Sequence, residues 1–354
     1  MAERGAHTYA EIMSQPSVWA TALEGFRVQA PALQALWRAH PPDWVIFTGC
    51  GSTYYLSCVG AALFRALTGV AAEARPASEI ALFPDLALAP GGRMLLVAVS
   101  RSGTTTETLE AMARFRARTG GKIVAITCDS RSPLAQRADL SLAADAAQEA
   151  SIAQTRSFGS MTVLAQAAAG LLGGEDVGVL AALPGAIERL LSEHRRTAQR
   201  LGEAADLERF YFLGSGLLHG VASEAMLKMK EMSLSYSEAF HVLEFRHGPM
   251  SMVNDRTLLI GLLSDEAIRH EAAVLREMRD RGARILAIAE RDEAGLADLG
   301  DVVRLESGLP AWARAVLYLP VLQLLAYYRA MARGQNPDRP ANLTAVVELE
   351  SLSS

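Results

Sequence analysis

The stretch Trp44-Val45-Ile46-Phe47-Thr48-Gly49-Cys50-Gly51-Ser52 decides the fold. Residues 44–48 form an unbroken run of strand length with no alternation of apolar and polar positions, which predicts a strand covered on both faces. The glycines at 49 and 51 make a tight turn, and the apolar-rich residues 53–67 read as a helix. The same order returns at once. Residues 94–99 are a second apolar strand, 100–103 a turn, 104–118 a helix and 122–127 a third strand. Fully apolar strands alternating with helices predict a parallel sheet with helices on both faces.

The pattern then repeats in order about 160 residues downstream, as expected of a duplicated unit. Residues 209–213 with Gly214-Ser215-Gly216 echo 44–51, 257–263 with Ser264 echo 94–100, and 284–289 echo 122–127. The expected class is therefore α/β, two doubly wound parallel-sheet domains in tandem. The expected division is a helical segment over 1–40, a first domain over 41–174, a second over 175–333 and a tail over 334–354. Gly173-Gly174-Glu175-Asp176 marks the boundary, and 177–201 reads as a long amphipathic helix into the second copy. Residues 311–333 read as the last helix, stopped by the stretch 334–340 with its two prolines.

Composition bounds the function. A chain of 354 residues suggests roughly two to three domains at about 150 residues each. With 50% hydrophobic and 21% charged residues and a mean hydropathy of +0.15, a disordered or fibrous chain is excluded. The apolar runs at 94–99 and 257–263 fall short of the roughly 20 residues that cross a bilayer, so no transmembrane helix and no membrane partner are expected. The first residues lack the basic stretch and apolar run of a secretion signal, which predicts a cytoplasmic protein. Cys50, Cys58 and Cys128 include no Cys-x-x-Cys pair, so neither a disulfide framework nor a zinc knuckle is expected. A net charge of −5 repels nucleic acid, which is not an expected partner. It also repels an anionic metabolite, so a phosphate site has to be built from local amides and hydroxyls.

The glycine turn at 49–51 places backbone N–H groups at a helix start, where unpaired donors and the helix dipole favour an anion. A dinucleotide fingerprint would need a third glycine where Tyr54 stands, and Gly214, Gly216 and Gly220 have the wrong spacing, so no nucleotide cofactor is expected. A lone Gly-x-Gly is more often simply a turn. More informative is Ser100-Arg101-Ser102-Gly103-Thr104-Thr105-Thr106-Glu107-Thr108, where hydroxyls crowd one loop that opens a helix at the carboxyl end of a parallel strand. One of them is needed as a helix cap. The others make a small phosphate cradle, and the absence of a Gly-Lys loop points to a monophosphate.

The second copy carries different chemistry. Glu224, Lys228 and Glu231 lie at i, i+4 and i+7 and share one helix face. A solvated, salt-bridged stripe accounts for such a pattern equally well. The flanking Glu244-Phe245-Arg246-His247-Gly248-Pro249 adds a histidine in a glycine- and proline-bent segment, a combination suited to acid–base work on a sugar, although His247 also fits a polar residue at a turn. His219, His241 and His247 show no metal-ligand spacing, and no metal is expected.

Taken in order, Cys50-Gly51-Ser52-Thr53, Ser100 to Thr105, Glu224 to Glu231 and His247-Gly248-Pro249 resemble the tandem sugar-isomerase (SIS) domains that form the isomerase half of glucosamine-6-phosphate synthase. The resemblance covers nearly the whole chain, including Asn342-Leu343. It implies two flavodoxin-like α/β domains. It also implies that Ser52, Thr53, Ser100, Arg101, Ser102, Thr105 and Ile152 line the sugar-phosphate site, that Glu231 moves a proton between carbons 1 and 2, and that Lys228 lines the same site. His247 falls on the ring-opening histidine that in this family reaches the site from the partner subunit, which implies a homodimer.

Two departures matter. The synthase has a cysteine directly after its initiator methionine, where this sequence has Ala2, and a Schiff-base lysine where this sequence has Ala345. An alanine cannot perform amine catalysis. The sequence therefore looks closer to the stand-alone SIS enzymes, and a glutaminase activity is not expected. The leading expectation is an isomerase or deaminase acting on a hexose or amino-sugar 6-phosphate, without a cofactor. The alternatives are a non-catalytic sugar-phosphate sensor, an aldose–ketose isomerase or deglycase, and a glutamine-independent synthase-like enzyme.

Overall fold

A computed structural model describes residues 3–88, 91–292 and 295–343. Among the described residues ten strands run in chain order: β1 Trp44–Gly49, β2 Ala71–Pro76, β3 Met94–Ser100, β4 Lys122–Thr127, β5 Leu140–Ala143, β6 Arg209–Gly214, β7 Tyr236–Phe240, β8 Thr257–Leu262, β9 Arg284–Ala289 and β10 Asp301–Arg304. They form two five-stranded sheets, ordered β2-β1-β3-β4-β5 and β7-β6-β8-β9-β10, with every pairing parallel. Both show the 2-1-3-4-5 order of flavodoxin-like sheets, so the duplication read from the sequence is a duplication of topology. All six apolar strands fall where the sequence places them.

The chain divides into two compact units. One holds the first sheet and comprises, among the described residues, Ser17–Glu149 and Arg156–Ala181. The other holds the second sheet and comprises, among the described residues, 3–16, Ala150–Thr155 and Ala182–Leu343.

In the first unit every residue of β3 is buried, as a strand with helices on both faces requires. The helix Ser52–Thr68 follows β1 through a turn so close that a Cβ on Gly49 would lie 2.6 Å from Thr53 Oγ1. In the second unit the same four-residue step recurs, and a Cβ on Gly214 would lie 2.5 Å from the Leu218 carbonyl oxygen. Both turns require glycine for the same steric reason.

In the second unit the helix Leu183–Glu203 buries Leu183, Ile187, Leu190, Leu191, Ala198 and Leu201 along one stripe. It packs against the helix Pro320–Ala332. The stretch expected as one helix over 177–201 opens instead as a 3-10 turn, Val177–Ala182, before Pro184 in the first helical turn. The expected last helix is likewise interrupted: Ala311–Arg314 and the 3-10 segment Ala315–Tyr318 precede Pro320, whose missing N–H and fixed φ start a new helix. The run Ala311–Ala332 contains an 18-residue stretch of mean hydropathy 1.3, long and apolar enough to cross a bilayer, which the apolar-run reading overlooked; that stretch is 83% buried inside the protein. Its apolar character is that of a core helix.

Candidate active site

In the first unit the loop after β3 folds its hydroxyls onto one another. Ser100, 2% exposed, accepts a hydrogen bond through Oγ from the Gly103 N–H (3.1 Å) and lies 3.0 Å from Thr105 Oγ1. Ser102 Oγ accepts from the Thr104 N–H (3.2 Å) and hydroxyl (2.9 Å). Thr105 is the N-cap of the helix Thr106–Thr119, yet its side chain makes no cap hydrogen bond. The loop therefore holds its hydroxyls at the end of β3 beside a helix start that Thr105 does not cap, the composition of an anion cradle. Gly103 makes the bend at φ +64°, and a Cβ there would lie 2.0 Å from Ser132 Oγ.

Two predicted residues are engaged by the fold. Thr53 Oγ1 accepts from the Cys50 N–H and donates to the Cys50 carbonyl, both at 2.9 Å, and so clamps the glycine turn. Arg101 reaches Glu149 at 3.5 Å, with side chains 14% and 0% exposed. Glu149 also accepts from the Ser157 N–H (3.3 Å) and hydroxyl. Ser52 opens the helix after the turn, 5% exposed. Cys50 Sγ lies 3.7 Å from Thr108 Oγ1, which sets the turn after β1 against the first turn of the helix that follows β3, beside the switch point of the first sheet. Burial pushes the Cys50 thiol up to about 11, ahead of smaller effects from Thr108 and Glu107.

In the second unit the helix Leu218–Ser233 follows β6 and carries the charged face. Lys228 Nζ lies 3.4 Å from Glu224 Oε1 and closer still to Glu231 Oε2, with the Lys228 and Glu224 side chains 1% and 0% exposed and Glu231 17%. This stripe is not solvated. Two of its charges are inside the protein, and Glu231, in contact with the lysine, is partly exposed. A buried pair of this kind persists because each charge has a partner.

His247 lies on the exposed segment after the 3-10 turn Glu244–Arg246, its N–H donating to the Glu244 carbonyl at 3.0 Å. Ile152 belongs to a short segment held at two points. Its N–H donates to the Asp338 carbonyl at 3.0 Å, while Glu11, 4% exposed, accepts from the N–H groups of Ala150 (2.6 Å) and Ser151 (3.2 Å). Asp338 in turn accepts from the Thr8 N–H and hydroxyl, both at 2.8 Å. Ala345 lies outside the described residues.

Sequence reading missed Glu149, Glu11 and Asp338, whose partners are far along the chain. It also missed the stacking of His219 on His241, with ring centroids 3.8 Å apart and planes at 16°. Burial, and then the neighbouring His241 ring, hold His219 below the ordinary histidine range. Its place three residues after Gly216 was the available signal. Among the described residues no group of three or more His, Cys, Asp or Glu could hold a metal ion.

A sequence profile of the SIS domain matches residues 41–171 and 205–330, one match on each sheet. The chain belongs to the SIS domain family. Among curated proteins, this SIS protein is similar to the glutamine–fructose-6-phosphate aminotransferase (isomerizing) of Aeropyrum pernix, 31% identical over 363 residues that cover 96% of this chain and 57% of that protein. The chain thus spans less than two thirds of the length of that relative. Among solved structures it is similar to glucosamine-6-phosphate deaminase from Thermotoga maritima, with a TM-score of 0.75 and 28% identity over 93% of this chain and 100% of that one. A tagatose-6-phosphate ketose/aldose isomerase from Escherichia coli superposes with a TM-score of 0.87, covering 99% and 98% of the two chains. At 23% identity that likeness is one of fold.

Proposed function

We propose that this SIS protein is an enzyme that interconverts carbonyl forms at carbons 1 and 2 of a hexose 6-phosphate, with an amino sugar deaminated to the ketose phosphate as the favoured reaction. The observation that carries the reading is the buried Glu224–Lys228–Glu231 cluster, in which a fully enclosed lysine holds one carboxylate at the accessible edge of the helix. A surface stripe needs no such burial, and a pure binder of neutral hydroxyls needs no carboxylate held by a buried cation. The similarity to a glucosamine-6-phosphate deaminase supports the choice of substrate class.

In this reading the hydroxyls of the loop at 100–105 hold the phosphate, and His247 opens the sugar ring. Glu231 takes the proton from carbon 2 of the open 2-amino aldose and returns it to carbon 1. The resulting 2-imine is hydrolysed by water, which releases ammonia and leaves the ketose phosphate. Lys228 holds Glu231 in place. The protein acts as a homodimer in which His247 serves the neighbouring subunit, and it works in the cytoplasm.

The test is ammonia release and ketose formation from glucosamine 6-phosphate. Glu231→Gln is expected to lower kcat by roughly 10²- to 10⁴-fold, the usual contribution of a positioned general base. A variant that keeps more than about a tenth of the wild-type rate removes Glu231 from this role.

A further inference from the structure

Because the two sheets share one strand order, each has a switch point, between β1 and β3 in the first and between β6 and β8 in the second. Open α/β sheets bind ligands in the crevice outside the strand ends at that point. In the second unit an open cavity of about 170 Å³ lies there, lined by the loops after β6 and β8 together with Glu271, Ala311, Arg314 and Tyr318. None of Lys228, Glu231 and His247 lines it.

Its chemistry differs from that of the hydroxyl loop. After β3 the sequence is Ser100-Arg101-Ser102-Gly103; after β8 it is Ser264-Asp265-Glu266-Ala267. Acidic side chains stand where the first copy has an arginine and a hydroxyl, so an anion is disfavoured. Glu271, 1% exposed, accepts through Oε2 from the Ser264 N–H (2.7 Å) and hydroxyl (3.1 Å). Its second oxygen, Oε1, is buried and has no hydrogen-bond partner among the described residues. Arg314 does not supply one: its guanidinium pairs with Asp265 and donates to the Leu309 carbonyl, while its Nε, 3.6 Å from Glu290 Oε2, makes no hydrogen bond among the described residues. The Tyr318 hydroxyl donates to the Leu263 carbonyl at 2.8 Å. Leu217, Leu218, Ala267 and Ala311 complete the lining with apolar surface. A buried carboxylate oxygen without a donor is costly, and an ammonium group satisfies both its charge and its acceptor capacity.

We propose that the second sheet carries its own small-molecule site at the β6/β8 switch point, which takes a small primary amine with an apolar body, its ammonium on Glu271. The site is separate from the proposed sugar-phosphate chemistry and does not depend on it.

The test uses the full chain and calorimetric titration with benzylamine, isoamylamine and ethanolamine, with benzyl alcohol as the neutral counterpart. Saturable binding of benzylamine or isoamylamine is expected, at least about tenfold tighter for benzylamine than for benzyl alcohol, and weakened at least about tenfold by Glu271→Gln. If Glu271→Gln does not fold, Ala267→Phe, which fills the cavity from a half-exposed position, is expected to abolish binding. Failure of every amine to bind saturably in the millimolar range overturns the proposal. So does equal binding of benzyl alcohol, or unchanged amine binding in Ala267→Phe. Turnover of glucosamine 6-phosphate is read in the same samples, so loss of either reading leaves the other standing.

Discussion

Lys228 carries a charge inside the protein, and its neighbours set what its removal does. Lys228→Met breaks the buried ion pair with Glu224, a change expected to cost about 3–5 kcal/mol in urea denaturation. His219 gives a pH signature. Its folded-state pKa is lowered, so above the ordinary value of 6.5 both folded and unfolded chains hold it neutral and it contributes no slope. As pH falls below 6.5 the unfolded chain takes up a proton that the folded one resists, and stability drops toward the lowered value. His219→Gln is expected to flatten this loss on the acid side and leave neutral pH unaffected, as measured by denaturation across the series. The thiols follow from burial. Cys50, Cys58 and Cys128 are all raised, so alkylation of the native protein at neutral pH is expected to be slow, and fast labelling of any of them would contradict their enclosure.

At the scale of elements, the glycine turn and the hydroxyl loop make opposite predictions. Thr53 clamps its own turn, so Thr53→Val, which leaves the Cys50 N–H without its acceptor, is expected to cost about 1–3 kcal/mol of stability. Unchanged stability with weakened sugar-phosphate binding would instead make its hydroxyl a ligand contact. Ser102 bonds only within its loop in the contacts described, to Thr104, so Ser102→Ala is expected to weaken sugar-phosphate binding by calorimetry with little change in melting temperature. Legibility at this scale followed burial. The four strands that sequence reading did not find, β2, β5, β7 and β10, are the edges of the two sheets. These edge strands are partly exposed, β5, β7 and β10 are also short, and all four lack the continuous apolar run that exposed the central ones. The helix Arg156–Gly173 was missed for the opposite reason: residues 157–170 are all buried, so no polar face marks its period.

For the whole molecule, the proposed exchange of His247 between subunits has a direct test. Glu231→Gln and His247→Asn are each expected to be inactive alone. Random reassociation of the two into dimers should restore about a quarter of the wild-type rate, because half the dimers are mixed and each mixed dimer has one intact site. No recovery on mixing, with exchange verified by sedimentation, would place both residues in sites within one subunit. The N-terminal helix Ala6–Met13 is held to the unit of the second sheet through Asp338 and Glu11. Asp338→Ala is accordingly expected to raise hydrogen exchange over 6–13 and 150–155 well before the sheets are affected.

The sequence by itself determined the repeated strand–turn–helix order, the placement of glycines at 49 and 214, the hydroxyl loop and the shared face of Glu224, Lys228 and Glu231. These are local matters, set by the sterics of a few consecutive residues and by helical and strand periods. Tertiary structure alone decided which charges are buried and what meets them: Arg101 against Glu149 48 residues away, Asp338 against Thr8 across 330, and Glu271 with one oxygen satisfied and one not. Desolvation gives those contacts their consequence, and burial is a property of how the chain closes on itself.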